Sequence, residues 1–196
     1  VMDVSATNMH DIKRQTSAAR ADLIAECADN GEPFIAWCDT DYEADALKAR
    51  IPGAVEVRGS MPVERKEENL EAFSLGQARV IITKPSVAGH GLNWQHVSNM
   101  GFAGRSFSYE AWYQAVRRSW RFGQTKPVTV HIAVAEGEEQ IGRVIDRKAD
   151  DHARMKAAMA LAMKRGKKIN AGGAAKRIAS TLSTDKIKEF ATKVKK

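Results

Sequence analysis

The sequence is poor in cysteine, with only Cys27 and Cys38 among its 196 residues. Two thiols are too few for the disulfide framework of a small secreted protein, and their spacing does not form a metal-binding pair. We therefore expect both to be buried free thiols in a reducing cytoplasm. The five histidines show no metal-ligand spacing either, so the sequence predicts no metal site of its own.

Long apolar runs and a leader segment are missing as well. No stretch reaches the roughly 18 consecutive apolar residues that a membrane helix needs, so we expect no membrane partner. The first five residues lack the basic start and the apolar run of a signal peptide. A chain that begins with valine is expected to be a piece of a longer protein. These absences favour a cytoplasmic domain, and a hydrophobic fraction of 43% allows it a proper core.

Acidic residues are scarce at one end of the chain. Residues 164–196 hold 11 basic and 2 acidic side chains, a net charge of +9, whereas residues 1–163 hold 20 and 22, a net charge of −2. A polybasic segment attracts nucleic acid or another polyanion in a salt-dependent way. The same composition also suits a solubilising disordered end, and the sequence leaves both interpretations open.

Strand and helix patterns alternate along the rest of the chain. Strands are predicted at 34–38, 54–57, 79–83, 96–102 and 127–134, and helices at 11–29, 39–47, 60–76, from 108 onward and at 136–164. Ser60 and Ser108 are the predicted N-caps of two of these helices. Alternation of this kind predicts a parallel sheet with helices on both faces, and ligands in such sheets lie at the carboxyl ends of the strands.

Composition divides the chain into three parts. We expect a leading helix or linker at 1–30, an α/β domain at 31–165 and a basic, helical or disordered tail at 166–196. The tail begins with a lysine-, alanine- and glycine-rich stretch of linker-like composition.

Three polar residues are spaced for one face of a helix. Gln114, Arg118 and Arg121 are separated by four and three residues, and side chains at these intervals stack along a helix axis. Arginine stays charged at any working pH and makes planar, forked contacts with phosphate. A helix face of this kind suits a polyanion, although an ordinary solvated basic face with ion pairs has the same spacing.

A polar, glycine-containing loop follows the strand at 79–83. Gly89 and Gly91 allow close approach of the backbone to a ligand, and Thr83 and Lys84 offer donors to phosphate oxygens. Asn93 can hydrogen-bond a sugar hydroxyl. A single Gly-x-Gly is a weak signal by itself, but its position after a strand and one unit before the arginine segment strengthens it.

These segments together resemble motifs V and VI of the superfamily-two helicases. The matching residues are Ile81-Ile-Thr83, Gly89-His-Gly-Leu-Asn93 and Gln114-x-x-x-Arg118-x-x-Arg121-x-Gly-Gln124. Residues 34–38 resemble motif IV, and the resemblance covers about residues 31–148. The last motif looks like that of the Swi/Snf-like branch, in which Arg-x-Gly-Gln is followed by Thr-Lys-x-Val.

Three departures from that branch modify the resemblance, one of which is Trp120 in place of the usual histidine. The loop after Thr83 is longer and contains Lys84-Pro-Ser86, and residues 104–110 lack the usual Asp and Trp-Asn-Pro. These details look more like the helicase-like proteins of phages and prophages than like chromatin remodellers. The resemblance therefore implies a bacterial host cytoplasm and does not imply remodelling.

The resemblance implies a RecA-like three-layer domain, with a central parallel sheet flanked by helices, that works on ATP. Arg121 would be the arginine finger on the γ-phosphate, with Arg118 supporting it and Gln114 positioning the helix or the nucleotide. Gly91 and Asn93 would lie near the ribose and the domain interface.

The resemblance also implies a nucleic-acid track. Thr83 and Ser60 would touch the backbone of a DNA or RNA strand, and Arg58 and Lys84 are further candidates for the same role. The family branch favours DNA over RNA.

Two parts of an ATP site are missing from the sequence. It contains no Gly-x-x-x-x-Gly-Lys-Ser/Thr loop and no acidic pair after a strand to hold magnesium. These parts belong to a first RecA-like domain, which we expect elsewhere in the same protein and which would supply Mg²⁺ with ATP. The chain alone then lacks a complete ATP site, and the parent protein would be an ATP-hydrolysing helicase or translocase.

Two alternatives remain beside this hypothesis. A non-catalytic nucleic-acid-binding module derived from a helicase fold would keep the surface and the basic tail without the motor. Another nucleotide-binding α/β domain, such as a glycosyltransferase-like one, would share the architecture. Gln114, Arg118, Arg121 and Gln124 argue against this second alternative.

Overall fold

The computed structural model describes residues 6–88, 92–135 and 139–169. Helices and strands alternate along them, as the sequence predicts. The elements are α1 Ala6–Gln15, α2 Ser17–Ala28, β1 Phe34–Trp37, α3 Asp41–Arg50, β2 Val55–Val57, α4 Val63–Ser74, β3 Val80–Thr83, β4 Asn99–Phe102, α5 Tyr109–Val116, β5 Thr129–Ile132 and α6 Glu139–Ile169.

The five strands form one parallel sheet in the order β2-β3-β1-β4-β5. Phe34 of β1 pairs with Val80 of β3 on one side and with Asn99 of β4 on the other. Because all neighbours are parallel, their carboxyl ends lie along a single edge, which we call the carboxyl edge. The predicted RecA-like α/β fold is confirmed.

Each face of the sheet is covered by a different set of side chains, because successive residues of a strand point to opposite faces. Phe34 and Ala36 belong to a buried cluster with α2 and α3, to which Ile24 and Leu47 contribute. On the alternate positions, Trp37 packs against Trp94 and Phe102 with ring centroids 6.1 Å apart in each pair, and Phe73 of α4 meets Trp94 at 5.2 Å. Burial on both faces explains why these strands are continuous apolar runs.

Two local predictions are corrected by the structure. The helix predicted at 11–29 is divided at Thr16, whose hydroxyl donates to the carbonyl of Ile12 at 2.7 Å. Such back-bonding by threonine competes with the regular helix ladder. Ser60 is not the N-cap of the next helix, because α4 begins at Val63 and Pro62 is its N-cap, with ψ of 148°. The fixed φ of proline sets the entry into α4 two residues later than predicted.

The chain divides into two units, residues 1–145 and residues 146–196. The first unit contains the sheet. In the second, α6 continues to Ile169, beyond the predicted domain boundary at 165/166. Met155, Met159 and Met163 are exposed along this helix. Residues 170–196, which make up most of the predicted basic tail, lie outside the described residues.

Candidate functional site

The helix that carries Gln114 is shorter than the spacing predicts. α5 begins where expected, since the hydroxyl of Ser108 accepts a hydrogen bond from the amide of Ala111 at 3.2 Å. It ends at Val116, and the amide of Arg118 donates to the carbonyl of Ala115, only three residues back. The prediction that Gln114, Arg118 and Arg121 share one helix face is therefore wrong: Gln114 is exposed on α5, and both arginines lie in the turns after it.

Arg118 and Arg121 nevertheless converge on a single acceptor. The Nη1 atoms of the two guanidinium groups lie 3.3 Å and 3.2 Å from the carbonyl oxygen of Leu92 and donate to it. Arg121 is exposed, whereas Arg118 is only 7% exposed. Burial, together with the charge of Arg121, holds the pKa of Arg118 below its usual range.

The charge of this pair is not balanced locally. Within the described residues, neither Arg118 nor Arg121 forms an ion pair, and the Nε of Arg118 is buried without a hydrogen-bond partner. Burying a cation with one carbonyl as its acceptor is costly unless an anion completes the site. The arrangement is suited to an anionic ligand.

A second set of hydrogen bonds fixes the turn that carries these arginines, residues 117–124, which we call the arginine turn. The side-chain amide of Gln124 donates to the carbonyls of Gln95 and Val97 at 2.8 Å and 3.2 Å. The amide of Trp94 donates to the carbonyl of Arg118 at 3.2 Å. Buried Trp94 thus anchors the segment that presents Leu92. Sequence reasoning missed these positioning roles, although Trp94 directly follows the polar loop.

The proposed nucleic-acid contacts lie elsewhere, on the carboxyl edge. Ser60 is exposed in the turn after β2, and Lys84 follows β3. Lys84 pairs with Asp41 at 2.9 Å, and this hydrogen bond and the lysine charge hold the pKa of Asp41 below its usual range. The arginine turn, by contrast, contacts the segment that leads into β4 and itself leads into β5.

Arg58 is already engaged by carboxylates of its own chain. Its guanidinium contacts Glu56 and Asp45. Partial burial by itself lowers the pKa of Arg58, but these hydrogen bonds and charges outweigh it and raise the pKa. A phosphate would have to displace one of these carboxylates, so Arg58 is a weaker candidate in the structure than exposed Ser60.

Thr83 is used by the sheet. Its side chain is 1% exposed, and its hydroxyl donates to the carbonyl of Val57 at 2.9 Å. The structure therefore lends no support to a contact between this hydroxyl and nucleic acid. Of the two residues predicted near the ribose, Asn93 is exposed, and Gly91 lies outside the described residues.

A small open cleft lies on the carboxyl edge where β1, β3 and β4 end. Its volume is about 70 Å³, and its polar lining includes Asp39, Lys84, Arg105, Ser106 and the N-cap Ser108. Arg105 was missed by the sequence reasoning because it lies in the segment that departs from the helicase pattern. Its position after a predicted strand end was the available signal.

Buried ion pairs hold the loop that carries Arg105. Arg20 donates to Glu43 at 2.8 Å and also to the carbonyl of Ala103, and both side chains are buried. Lys13 of α1 pairs with Asp39 at 2.8 Å and donates to the carbonyl of Arg105 at 2.6 Å.

Glycine is required where this loop passes the carboxylate of Glu43. A Cβ at position 104 would lie 2.2 Å from the Glu43 oxygens. We call Lys13, Arg20, Asp39 and Glu43 the buried ion-pair network. It fixes the loop after β4 to α1, α2 and α3.

Membrane-spanning helices and metal-binding clusters can be considered for the described ranges as a whole. No helix in residues 6–88, 92–135 or 139–169 is long and apolar enough to cross a membrane. The same ranges contain no group of three or more His, Cys, Asp or Glu side chains placed to hold a metal ion.

Comparisons with solved structures show the fold. The chain is similar to the C-terminal part of the Fun30 ATPase domain, with a TM-score of 0.53, 21% identity and 60% of this chain covered. It spans 40% of the length of that structure. It is also similar to the C-terminal domain of the DEAD-box protein Dbp5, with a TM-score of 0.56 and 18% identity over 68% of this chain and 80% of the other.

Sequence comparison shows the family. None of the curated proteins compared with the chain matches it. Residues 18–123, more than half of the chain, match the model described as the helicase conserved C-terminal domain. This range contains the sheet up to β4, the arginine pair and the cleft on the carboxyl edge. The chain therefore belongs to the helicase conserved C-terminal domain family.

Proposed function

We propose that this chain is the second motor domain of an ATP-dependent nucleic-acid helicase or translocase. The observation that carries the proposal is the arginine pair, because Arg118 is a buried cation with an unused Nε and no carboxylate partner among the described residues. A triphosphate supplies the missing negative charge. Arg121 is exposed beside it and is the proposed arginine finger, which stabilises charge as the γ-phosphoryl group is transferred.

The nucleotide itself would be held by two domains. We propose that a first RecA-like domain of the parent protein cradles ATP and its Mg²⁺, which the residues of this chain do not provide. Arg118 would support Arg121, Gln114 would help to position the helix or the nucleotide, and Gly91 and Asn93 would lie near the ribose; of these two, Asn93 is exposed. The charge of Arg118, which no carboxylate among the described residues balances, supports an anionic ligand beside it.

The nucleic-acid track would follow the carboxyl edge. Ser60 and Lys84 are the proposed backbone contacts, and Arg58 would contribute by exchanging a carboxylate for a phosphate. We infer DNA in preference to RNA, a Swi/Snf-like branch and a phage or prophage origin from the sequence of the last motif, and with them a bacterial cytoplasm. The opening and closing of the interdomain cleft would shift the chain along one strand.

Replacement of Arg121 tests the proposed function. In the full-length parent protein, Arg121→Ala should lower nucleic-acid-stimulated ATP turnover by about 10³-fold or more, since fingers of this kind contribute roughly 10³ to 10⁵. Arg117→Ala is the matched control, because the Arg117 guanidinium lies over the Trp120 ring at 5.1 Å. Its turnover should stay near that of the unchanged protein. Full turnover in Arg121→Ala would refute the finger assignment, whereas a parent protein without nucleic-acid-stimulated turnover would favour a non-catalytic nucleic-acid-binding module.

The basic tail can be tested separately. We expect deletion of residues 170–196 to weaken nucleic-acid binding and to flatten its dependence on salt, because fewer counterions are then released. Binding isotherms at several salt concentrations measure this slope. An unchanged slope would reject the tail as a polyanion contact and leave the motor assignment untouched.

A further inference from the structure

Phe122 is the residue of the arginine turn whose exposure has no explanation within the described structure. Its side chain is 99% exposed, between Arg121 and Gly123. Leaving a phenylalanine side chain in water forgoes the stabilisation that its burial would give. Among the other exposed large apolar side chains in the described part of residues 1–145, the exposed fraction ranges from 44% at Phe107 to 64% at Leu75. Phe122 therefore stands apart even among exposed apolar residues.

The backbone under this ring is held in place. The side chain of Gln95 donates to the carbonyl of Phe122, and the amide of Gln124 donates to the carbonyl of Arg121 at 3.1 Å. Gly123 has φ of +92°, a conformation that favours glycine and turns the chain back at this point. The ring is thus presented from a fixed turn.

We propose that Phe122 is an apolar anchor that the first motor domain covers when the cleft closes over ATP. The inference rests on the proposed function, because it takes the partner of Arg121 to be the phosphate held by that domain. Adjacent residues have Cα atoms about 3.8 Å apart, so a surface that receives the Arg121 guanidinium lies within reach of the Phe122 ring. The unbalanced positive charge of Arg118 and Arg121 complements an anionic site on that surface.

The chemistry of the expected contact follows from the two side chains. Interface positions with large effects are enriched in aromatic residues and arginine, where an apolar ring excludes water from a charged contact. Water exclusion strengthens the interaction between arginine and phosphate. The occupant should therefore be an apolar pocket on the first domain, beside the bound triphosphate.

Variants of Phe122 in the full-length parent protein test the anchor. The Phe122→Ala variant should show roughly a tenfold loss in kcat/KM for nucleic-acid-stimulated ATP hydrolysis, and Phe122→Leu should restore most of it. The compaction caused by a non-hydrolysable ATP analogue, measured by small-angle X-ray scattering, should need about tenfold more analogue in Phe122→Ala. The matched control is Leu23→Ala, which shortens an exposed apolar side chain on α2 and should change neither measurement.

The outcomes separate the anchor from the finger. Unchanged compaction and turnover in Phe122→Ala, with turnover lost in Arg121→Ala, would overturn the anchor and leave the proposed function standing. Full turnover in Arg121→Ala would refute the finger assignment, and a need for about tenfold more analogue for compaction in Phe122→Ala would still support the anchor. A Phe122→Ala defect that disappears when ATP is replaced by a triphosphate with a pyrimidine base would show ring-on-base stacking and overturn the anchor.

Discussion

The described residues include two contrasting groups of cations, one neutralised by carboxylates and the other without a carboxylate partner among those residues. In the buried ion-pair network, Arg20 meets Glu43 and Lys13 meets Asp39, each at 2.8 Å. In the arginine turn, Arg118 and Arg121 share one carbonyl oxygen, and within the described residues neither has a carboxylate partner. Carboxylates neutralise the first group, whereas no described carboxylate neutralises the second.

The difference shows how the same residue type can serve structure or ligand binding. A buried ion pair whose hydrogen bonds are satisfied fixes neighbouring elements, and breaking it strands a charge. A buried cation without a counterion keeps its attraction for an anion that arrives from outside. Partner charge, more than burial, therefore separates Arg20 from the arginines that we propose bind a ligand.

The largest expected effect on stability comes from breaking the neutralised group. We predict that Glu43→Ala lowers the free energy of unfolding by about 3–5 kcal/mol, because it leaves the Arg20 guanidinium buried and unpaired. Urea unfolding followed by circular dichroism measures the change. The control Glu68→Ala removes an exposed partner of Arg65 and should cost less than about 1 kcal/mol. A loss under about 1 kcal/mol for Glu43→Ala would show that the network does not stabilise the fold.

A matched pair of arginine replacements tests the comparison itself. Arg118→Met should leave the free energy of unfolding unchanged or raise it by about 1 kcal/mol, since methionine keeps the apolar stem and removes an uncompensated cation. Arg20→Met should lower it by about 3–5 kcal/mol, because Glu43 is then stranded. Turnover of the parent protein should fall with Arg118→Met. Equal destabilisation by both replacements would mean that Arg118 is structural.

Most of the fold follows from the sequence. Continuous apolar runs such as residues 34–37 predicted strands buried on both faces, and alternation with helices predicted the parallel sheet. Ser108 was identified as an N-cap because its hydroxyl bond is local. These features depend on contacts within a few residues or on simple periodicity, which a single sequence contains.

The site was less predictable, because hydrogen bonds between residues far apart in the sequence determine where its side chains lie. Gln114, Arg118 and Arg121 have helical spacing, yet α5 ends at Val116, and the chain beyond it is held by Gln124 and the Trp94 amide. Thr83 looked like a phosphate donor, but its hydroxyl turns to a neighbouring strand. The spacing of the motif residues shows neither the hydrogen bonds that hold the arginine turn nor the bond from Thr83 to the Val57 carbonyl.

The buried network was also missed, although the sequence held a signal for it. The buried residues of α2 are Arg20, Ala21, Ile24 and Ala28, so the arginine lies on the same stripe as the apolar residues. A charged side chain on an apolar helix stripe predicts a buried partner, because an unpaired charge is too costly there. What the sequence could not supply was the identity of Glu43 as that partner.

The smallest predicted effect concerns Lys84. Its ion pair with Asp41 is only partly buried, unlike the Arg20–Glu43 pair, and it has a carboxylate partner, unlike Arg118 and Arg121. In the folded chain its pairing lowers the pKa of Asp41 from 3.8, so the contribution of the pair to stability is present at higher pH and is lost as pH falls through that lowered pKa. Lys84→Met should return the pKa of Asp41 toward 3.8, as measured by NMR titration of its carboxyl carbon. Lys126→Met, which removes a pair with Glu32, should leave that pKa unchanged.

In the parent protein, Lys84→Met should also reduce the salt slope of nucleic-acid binding by about one, because one phosphate contact is lost. A restored Asp41 pKa with an unchanged slope would confine Lys84 to its ion pair and remove it from the nucleic-acid track.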